Sequence, residues 1–452
     1  MFKKVLVANR GAVAARVLRA LYELRIKSVA VYSEADYGAP YLEMASETQA
    51  VGPAPAAESY LNQERLLEAI KRSGADGVHP GYGFLSENAQ FAQRVIDAGA
   101  RFIGPSPKWI DAMGHKTRAR EIAAEHGLPL SAGTDVLPAE PDAILAAARR
   151  IGFPVLVKPA GGGGGIGMLP ARNESELLSA VERSRSLAER GFGNAEVYLE
   201  RLIERPRHVE FQVLGDQHGG AVHLFERDCS TQRRNQKVIE EAPAPEIARD
   251  DVEAMAEKVA AMVRGMGYDN IGTVEMLYGA DGSFSFLEMN TRLQVEHGVT
   301  EAVTGVDLVH AQIRSADGER LEDILPPKIA LSGHALQARI YAEDPRTFFP
   351  SPGRLKVFRL PEDKSIRVET GYAEGRDVTP FYDPMIAKVI VHDATRERAI
   401  ERLIEALKAV DIQGIKHNTP AVIAVLESSA FRDGEVYTGL IPQLMAQKKA
   451  AA

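Results

Sequence analysis

The 452-residue sequence lacks several features that would point to particular environments. It has one cysteine, Cys229, so an intramolecular disulfide is excluded and a reducing, cytoplasmic setting is expected. No apolar run approaches the roughly 20 residues that span a bilayer, so no membrane partner is expected. Strand-like sequence begins at once in "MFKKVLVA", which is read as leaving no space for a leader peptide. Basic residues are outnumbered, 54 Lys and Arg against 62 Asp and Glu, so a nucleic-acid partner is not expected either. Any bound anion must be held by local cations. The first strand–helix turn, "NRGAVAAR", lacks the dinucleotide fingerprint GxGxxG and reads as a plain connection.

What is present alternates. "KKVLVA", the helical spacing of "AVAARVLRALYEL" and the strand "SVAVYS" form a parallel α/β unit, and the alternation continues to about residue 106 as a Rossmann-like region. Beyond it, "FPVLVKPA" and "AEVYLERLI" read as strands flanking the helix "ESELLSAVERSRSLAERG". "RHVEFQVLGD", "GGAVHLFERDCS", "GTVEMLYG" and "SFSFLEMN" are further strands, with the helix "ARDDVEAMAEKVAAMVRGMG" among them. A β-rich segment follows, and "TRERAIERLIEALKAV" reads as the last helix.

Two stretches carry chemistry. Five glycines at 161–165 follow Lys158 with no Gly-Lys-Ser/Thr after them, so a phosphate loop of the P-loop kind is excluded. Glycines between strands suit a flap that lays backbone N–H groups on phosphates, with the Lys158 ammonium alongside. In "LEMNTRLQVEH", Glu288, Asn290, Arg292, Gln294 and Glu296 alternate with less polar residues. An extended chain over 288–296 would place all five on one face. Glu288, Asn290 and the strand residue Glu275 offer oxygens to Mg²⁺, Arg292 a fork for an oxyanion, and Glu296 a base. Arg227, Arg233, Arg234 and Lys237 form a basic cluster read as an anion site, while Cys229 reads as buried packing.

These features, in this order, resemble the ATP-grasp enzymes and specifically biotin carboxylase. "HPGYGFLSEN", "FIGPS", "GGGGG", "PRHVE", "ERDCS", "EEAPAP", "EMNTR" and "QVEH" stand at the family's spacing over nearly the whole chain. The resemblance implies a mixed α/β and α+β fold. A Rossmann-like N-terminal domain would cover 1–114, an ATP-grasp domain 115–330 with a mobile lid at about 130–203, and a mixed β-rich C-terminal domain 331–446. It implies ATP contacts from Lys116, Lys158, Gly163, Gly164, Gly165, Glu200, Arg201, Ile203, His208, Gln232 and Asn235. Glu275, Glu288 and Asn290 would bind Mg²⁺ (or Mn²⁺); Lys237, Arg292, Gln294, Val295 and Glu296 would hold bicarbonate. Glu296 would be the base, and Arg339 would steady the enolate of biotin, the carrier-linked substrate. The implied partners are a biotin carboxyl carrier protein and a carboxyltransferase on separate polypeptides, plus a second copy of the chain met through Arg19 and Glu23. An acyl-CoA, first of all acetyl-CoA, is the implied final acceptor.

Five positions depart from the family pattern: Ala12, Ile166, Asn235, Gly298 and Gln337. Ile166 and Asn235 each remove a potential cation from around the nucleotide. They keep two alternatives in view: another ATP-grasp carboxylate–amine ligase, and a non-catalytic ATP-binding assembly subunit.

Overall fold

The computed structural model describes residues 1–161 and 166–451, the side chains of residues 448–451 excepted. Five parallel strands, β1 (Lys4–Val7), β2 (Lys27–Ser33), β3 (Glu47–Gly52), β4 (Gly77–His79) and β5 (Arg101–Phe102), lie in the order β3-β2-β1-β4-β5. Helix Gly11–Glu23 buries Val13, Val17, Leu18 and Leu21 against this sheet. A doubly wound layer of this kind is what the strand–helix–strand alternation predicts.

A three-stranded antiparallel sheet follows, with β6 (Val155–Pro159) between β7 (Leu169–Ala171) and β8 (Val197–Arg201). The glycine run therefore joins two antiparallel neighbours, as the flap reading requires. Gly163, Gly164 and Gly165 lie outside the described residues; Ile166, next to them, is exposed.

The largest sheet has eight antiparallel strands in the order β13-β12-β9-β10-β11-β14-β19-β17. These are β9 (Arg207–Gly215), β10 (Ala221–Arg233), β11 (Gln236–Ala242), β12 (Ile271–Tyr278), β13 (Phe284–Asn290), β14 (His334–Tyr341), β17 (Arg367–Thr370) and β19 (Met385–Asp393). Two ribbons, β15 (Gly353–Arg354) with β18 (Asp377–Val378) and β16 (Val357–Arg359) with β20 (Asp411–Gln413), flank it. The sheet runs unbroken from the central segment into the C-terminal one, because β11 pairs with β14 through Ile239↔Ala338 and Glu240↔Gln337. Pairing of this sort satisfies the backbone of β11, which would otherwise be an open edge.

Strand β9 shows how the sheet faces divide. Val209, Phe211 and Val213 pack into a core with Val252, Val259 and Val263 of helix Arg249–Met266. His208, Glu210 and Gln212, two residues apart, are turned to the opposite face and are buried there. That polar face is the floor of the site. One expectation about the elements needs correction. Three helices, Thr419–Leu426, Ser429–Arg432 and Leu440–Ala451, follow the one read as last. The first of them, "TPAVIAVL", is too apolar and β-branched to show a helical stripe. Among the described residues no helix is long and apolar enough to cross a membrane.

Candidate active site

Register builds the acidic part of the site. Glu275 of β12 stands directly opposite Glu288 on β13 and opposite Glu210 on β9, and Glu210 opposite Arg227 on β10. Three carboxylates and a guanidinium thus share one row of the sheet. Arg227 is fully buried, with Nε donating to Glu210 at 2.6 Å and Nη1 to Gln212 and Thr300 at 2.7 and 2.9 Å. Lys237, on the hairpin strand β11, reaches over the row. Its Nζ lies 2.6 Å from Glu210, 2.8 Å from Glu275 and 2.7 Å from Glu296.

Glu296 is therefore the meeting point of two cations, because Arg339 Nη2 donates to its other oxygen at 2.9 Å. Burial alone would push this carboxyl up; Lys237, Arg339 and Arg227 outweigh burial and hold it well below the usual range. Glu275 is lowered in the same way, with Lys237 and His208 overcoming burial. Glu288 goes the other way: burial and the facing Glu275 raise it, and Lys116 opposes them only in part. Among the described residues no partner satisfies Asn290 Nδ2, which is buried. Two facing carboxylates, Glu275 and Glu288, the second short of cationic compensation, beside an amide fit a hard divalent cation held through oxygen. The residues implied for Mg²⁺ are thus brought together.

The nucleotide candidates gather beside them. Lys158 Nζ and Arg120 Nη1 take the two oxygens of Glu200 at 2.9 and 2.5 Å. Lys116, lowered by burial, feels Glu288, Lys158 and Glu200. His208 Nε2 lies 3.0 Å from Glu275, while Gln232 Nε2 donates to its Nδ1 at 3.0 Å. Arg201 is exposed at the end of β8, where its side chain lies 3.4 Å from the Ile151 carbonyl, and Ile203 is half-buried just beyond it. Asn235 is not brought to the cluster. It sits exposed in the β10–β11 turn with Arg234, at φ +63° and +50°. A two-residue hairpin turn favours Asn at that φ, which gives the position a conformational reason.

Two expectations from the sequence do not hold in the fold. The chain does not run extended over 288–296: β13 ends at Asn290, and residues 291–296 turn irregularly into helix His297–Thr304. The polar groups converge nonetheless, because side chains hold the turn. Arg292 donates to Asn290 Oδ1 and Gln294 Oε1 at 2.9 Å each and to Glu87 at 2.7 Å; Gln294 Nε2 lies 3.4 Å from Glu275. The basic cluster is not one anion site either. Of its four members only Lys237 and Arg227 meet the carboxylate floor, and Arg227 does so inside the sheet row. Arg227 is a buried counter-ion, Arg233 pairs with Glu343 at 2.6 Å, and exposed Arg234 stacks toward Phe349. Cys229 is fully buried, and burial pushes its thiol well up, so it is packing as expected.

Glu210, Glu240, Arg120 and Glu87 were not anticipated. Glu210 could have been read from its place between His208 and Gln212 in an alternating strand. Glu240, which accepts from Arg339 Nε at 2.5 Å, and Glu87, some 200 residues from its partner Arg292, carried no local signal.

An acidic floor for a divalent cation, two lysines beside it and a small hairpin sheet above define a nucleotide-dependent ligase of the ATP-grasp kind. Family models agree. Residues 1–110 match the biotin carboxylase N-terminal domain, 115–324 the ATP-binding domain of the carbamoyl-phosphate synthase L chain, and 337–443 the biotin carboxylase C-terminal domain. A biotin carboxylase of Halalkalibacterium halodurans is 49% identical over 98% of this chain and 97% of its own. A pyruvate carboxylase component of Methanothermobacter thermautotrophicus is 45% identical over 98% and 90%. The biotin carboxylase domain of a Hydrogenobacter thermophilus 2-oxoglutarate carboxylase, solved as a dimer with MgADP, ADP and bicarbonate, superimposes at TM-score 0.94. It is 42% identical and covers 98% of this chain and 99% of that one. The chain belongs to the biotin carboxylase family, and its activity is that of an ATP-dependent ligase using Mg²⁺, ATP and biotin.

Proposed function

We propose that the roles divide among these residues as follows, the observation carrying the proposal being the Glu296 carboxyl held between Lys237 and Arg339. Lys237, Arg292, Gln294 and the Val295 N–H hold bicarbonate. Glu296 takes its proton as an oxygen attacks the γ-phosphorus of ATP, forming carboxyphosphate and releasing ADP. A base held so far below neutrality is weak. Bicarbonate competing for Lys237 withdraws positive charge from Glu296 and raises its proton affinity when a proton must be accepted. Carboxyphosphate then breaks down to CO₂ and phosphate; that phosphate takes the ureido N–H proton of biotin, Arg339 steadies the resulting enolate, and the ureido nitrogen captures the CO₂. Glu275, Glu288 and Asn290 would hold Mg²⁺, which supplies charge neutralisation to phosphoryl transfer. Lys116, Lys158, His208, Gln232, Glu200, Arg201 and Ile203 line the nucleotide side, under a lid at about 130–203 carried by the middle of three domains, 1–114, 115–330 and 331–446.

The biotin is read as carrier-borne, with a separate carboxyltransferase completing the reaction on an acyl-CoA, acetyl-CoA first. Relatives act in pyruvate, propionyl-CoA and 2-oxoglutarate carboxylases as well, so the acceptor is to be found by reconstitution with each. A cytoplasmic location is supported by the single free cysteine, and a homodimer by the half-buried Arg19 and the exposed Glu23 beside an 80%-exposed Tyr22.

The test is ADP release from MgATP with and without bicarbonate and free biotin. Release should require bicarbonate and rise with biotin, and Glu296→Ala should abolish it while ATP binding persists. Release indifferent to biotin would indicate another ATP-grasp ligase, and no turnover a non-catalytic role.

A further inference from the structure

We infer that His297 and Lys388 are positioning residues that set the two peptide planes on either side of Val295; this rests on the reading of the Val295 N–H and Glu296 as bicarbonate groups. Once β13 ends, residues 291–296 have no sheet ladder to orient their backbone. Two side chains supply the short contacts instead. The carbonyl of Gln294 accepts from His297 Nδ1 at 2.7 Å, with the His297 backbone N–H further off at 3.3 Å, and that of Val295 accepts from Lys388 Nζ at 2.7 Å. A peptide unit is planar and trans, so its C=O and N–H point in opposite directions. Tying the Gln294 carbonyl to His297 therefore aims the Val295 N–H away from His297. Tying the Val295 carbonyl to Lys388 sets the next plane and the Cα of Glu296.

Neither residue fits plain packing. Both are fully buried, where a lysine is expensive unless its charge is paired. Glu369 supplies the pairing at 2.7 Å, from the position directly opposite Lys388 on β17. On its other side Lys388 stands opposite Arg339 of β14, so Arg339, Lys388 and Glu369 form one row across three strands. A carbonyl only accepts, so His297 carries its proton on Nδ1; its Nε2 is buried, without a hydrogen-bond partner among the described residues, 3.9 Å from Glu301. The imidazole stays neutral, since burial, helped by Lys388, outweighs Glu301 and lowers it to about 4. A neutral ring with a fixed tautomer is a one-sided donor, which is what holding a single carbonyl requires.

The experiment uses the full chain, comparing His297→Phe with Lys388→Met, in which Glu369 keeps Arg367 and Arg19 as partners. With one buried hydrogen bond lost, kcat/KM for bicarbonate should fall about 10- to 100-fold while KM for ATP stays within about twofold. His297→Asn, which places an amide nitrogen near the Nδ1 position, should recover most of the loss. A merely structural role would instead raise both KM values or lower active-protein yield alone. Unchanged bicarbonate kinetics in both variants overturns the inference, provided the parent enzyme needs bicarbonate; if the parent is indifferent to bicarbonate, the reading of the site fails first. Should the variants not fold, ¹⁵N spectra of the unmodified protein decide: a neutral Nδ1–H tautomer for His297 supports the inference, and an Nε2–H tautomer or a charged ring at neutral pH overturns it.

Discussion

Replacing Lys237 by methionine probes the site as an assembly of charges. The ammonium contacts three carboxylates that are at most 5% exposed. Each keeps at least one other cationic neighbour: Arg227 on Glu210, His208 on Glu275 and Arg339 on Glu296. Removing one partner of a buried pair costs about 3–5 kcal/mol, and the retained neighbours place Lys237→Met near the lower figure. The sign of its pH dependence follows. In the parent protein Glu275 and Glu296 have depressed folded-state pKa values, so their contribution is complete above the unfolded value and is lost as pH falls through the folded one. In the variant, one of them should be raised above its unfolded value of about 4.3, so the native state holds a proton that the unfolded chain releases. Its stability then declines as pH rises. Thermal melts should give the variant a higher Tm at about pH 5.5 than at about pH 8, a drop the parent does not show. Loss of about 3 kcal/mol of anion stabilisation corresponds to at least about 100-fold in bicarbonate-dependent ADP release. Turnover within about threefold of the parent, or a melt with the parent's pH dependence, would refute the picture of Lys237 as the hub.

Other expectations are more local. A Cβ on Gly298 would lie 2.5 Å from Ile390 Cδ1, so Gly298→Ala should destabilise by about 1–3 kcal/mol in chemical denaturation. Adding Ile390→Val, which deletes that methyl, should restore most of it; no recovery would mean the clash is not the cause. Glu241 is lowered to about 2, its bonds to His334 and Arg396 overcoming burial. Against an ordinary value of 4.5, that is about 3 kcal/mol of stability, present above the unfolded pKa and lost as pH falls toward 2. Glu241→Gln should accordingly lower Tm at neutral pH and flatten its acid slope. Glu288→Gln should raise the Mg²⁺ concentration needed for half-maximal ADP release about tenfold or more, and chelation should reduce release to background in either protein. An unchanged Mg²⁺ requirement would remove Glu288 from the metal site.

Gly298 and Gln337 show how departures from a family pattern acquire reasons in space. Ile390 fills the room that a larger residue at 298 would need, and Gln337 donates from Nε2 to Glu240, the carboxylate that also holds Arg339. Neither relation can be read along the chain, since residues 298, 337 and 390 meet only where helix His297–Thr304 lies on β14 and β19.

Alternation in "RHVEFQV" and "SFSFLEMN" already marks which side chains share a face, because period two is a property of each strand alone. Helix spacing in residues 11–23 and the glycine-rich connection between strands are legible for the same local reason. The alternation persists through "TRLQVE", yet the ladder stops at Asn290 and that stretch coils, because its hydrogen-bond partners are Glu87 and Lys388, distant in sequence, and His297 of the helix that follows. Likewise, neighbours along the chain could not separate Lys237 from Arg227, Arg233 and Arg234. Their counter-charges arrive on β9, β12, the turn at 296 and residue 343, and a charge is assigned its partner by register between strands far apart in sequence. Residue types and local periods are properties of neighbours; which acid meets which base is settled when eight strands choose their order.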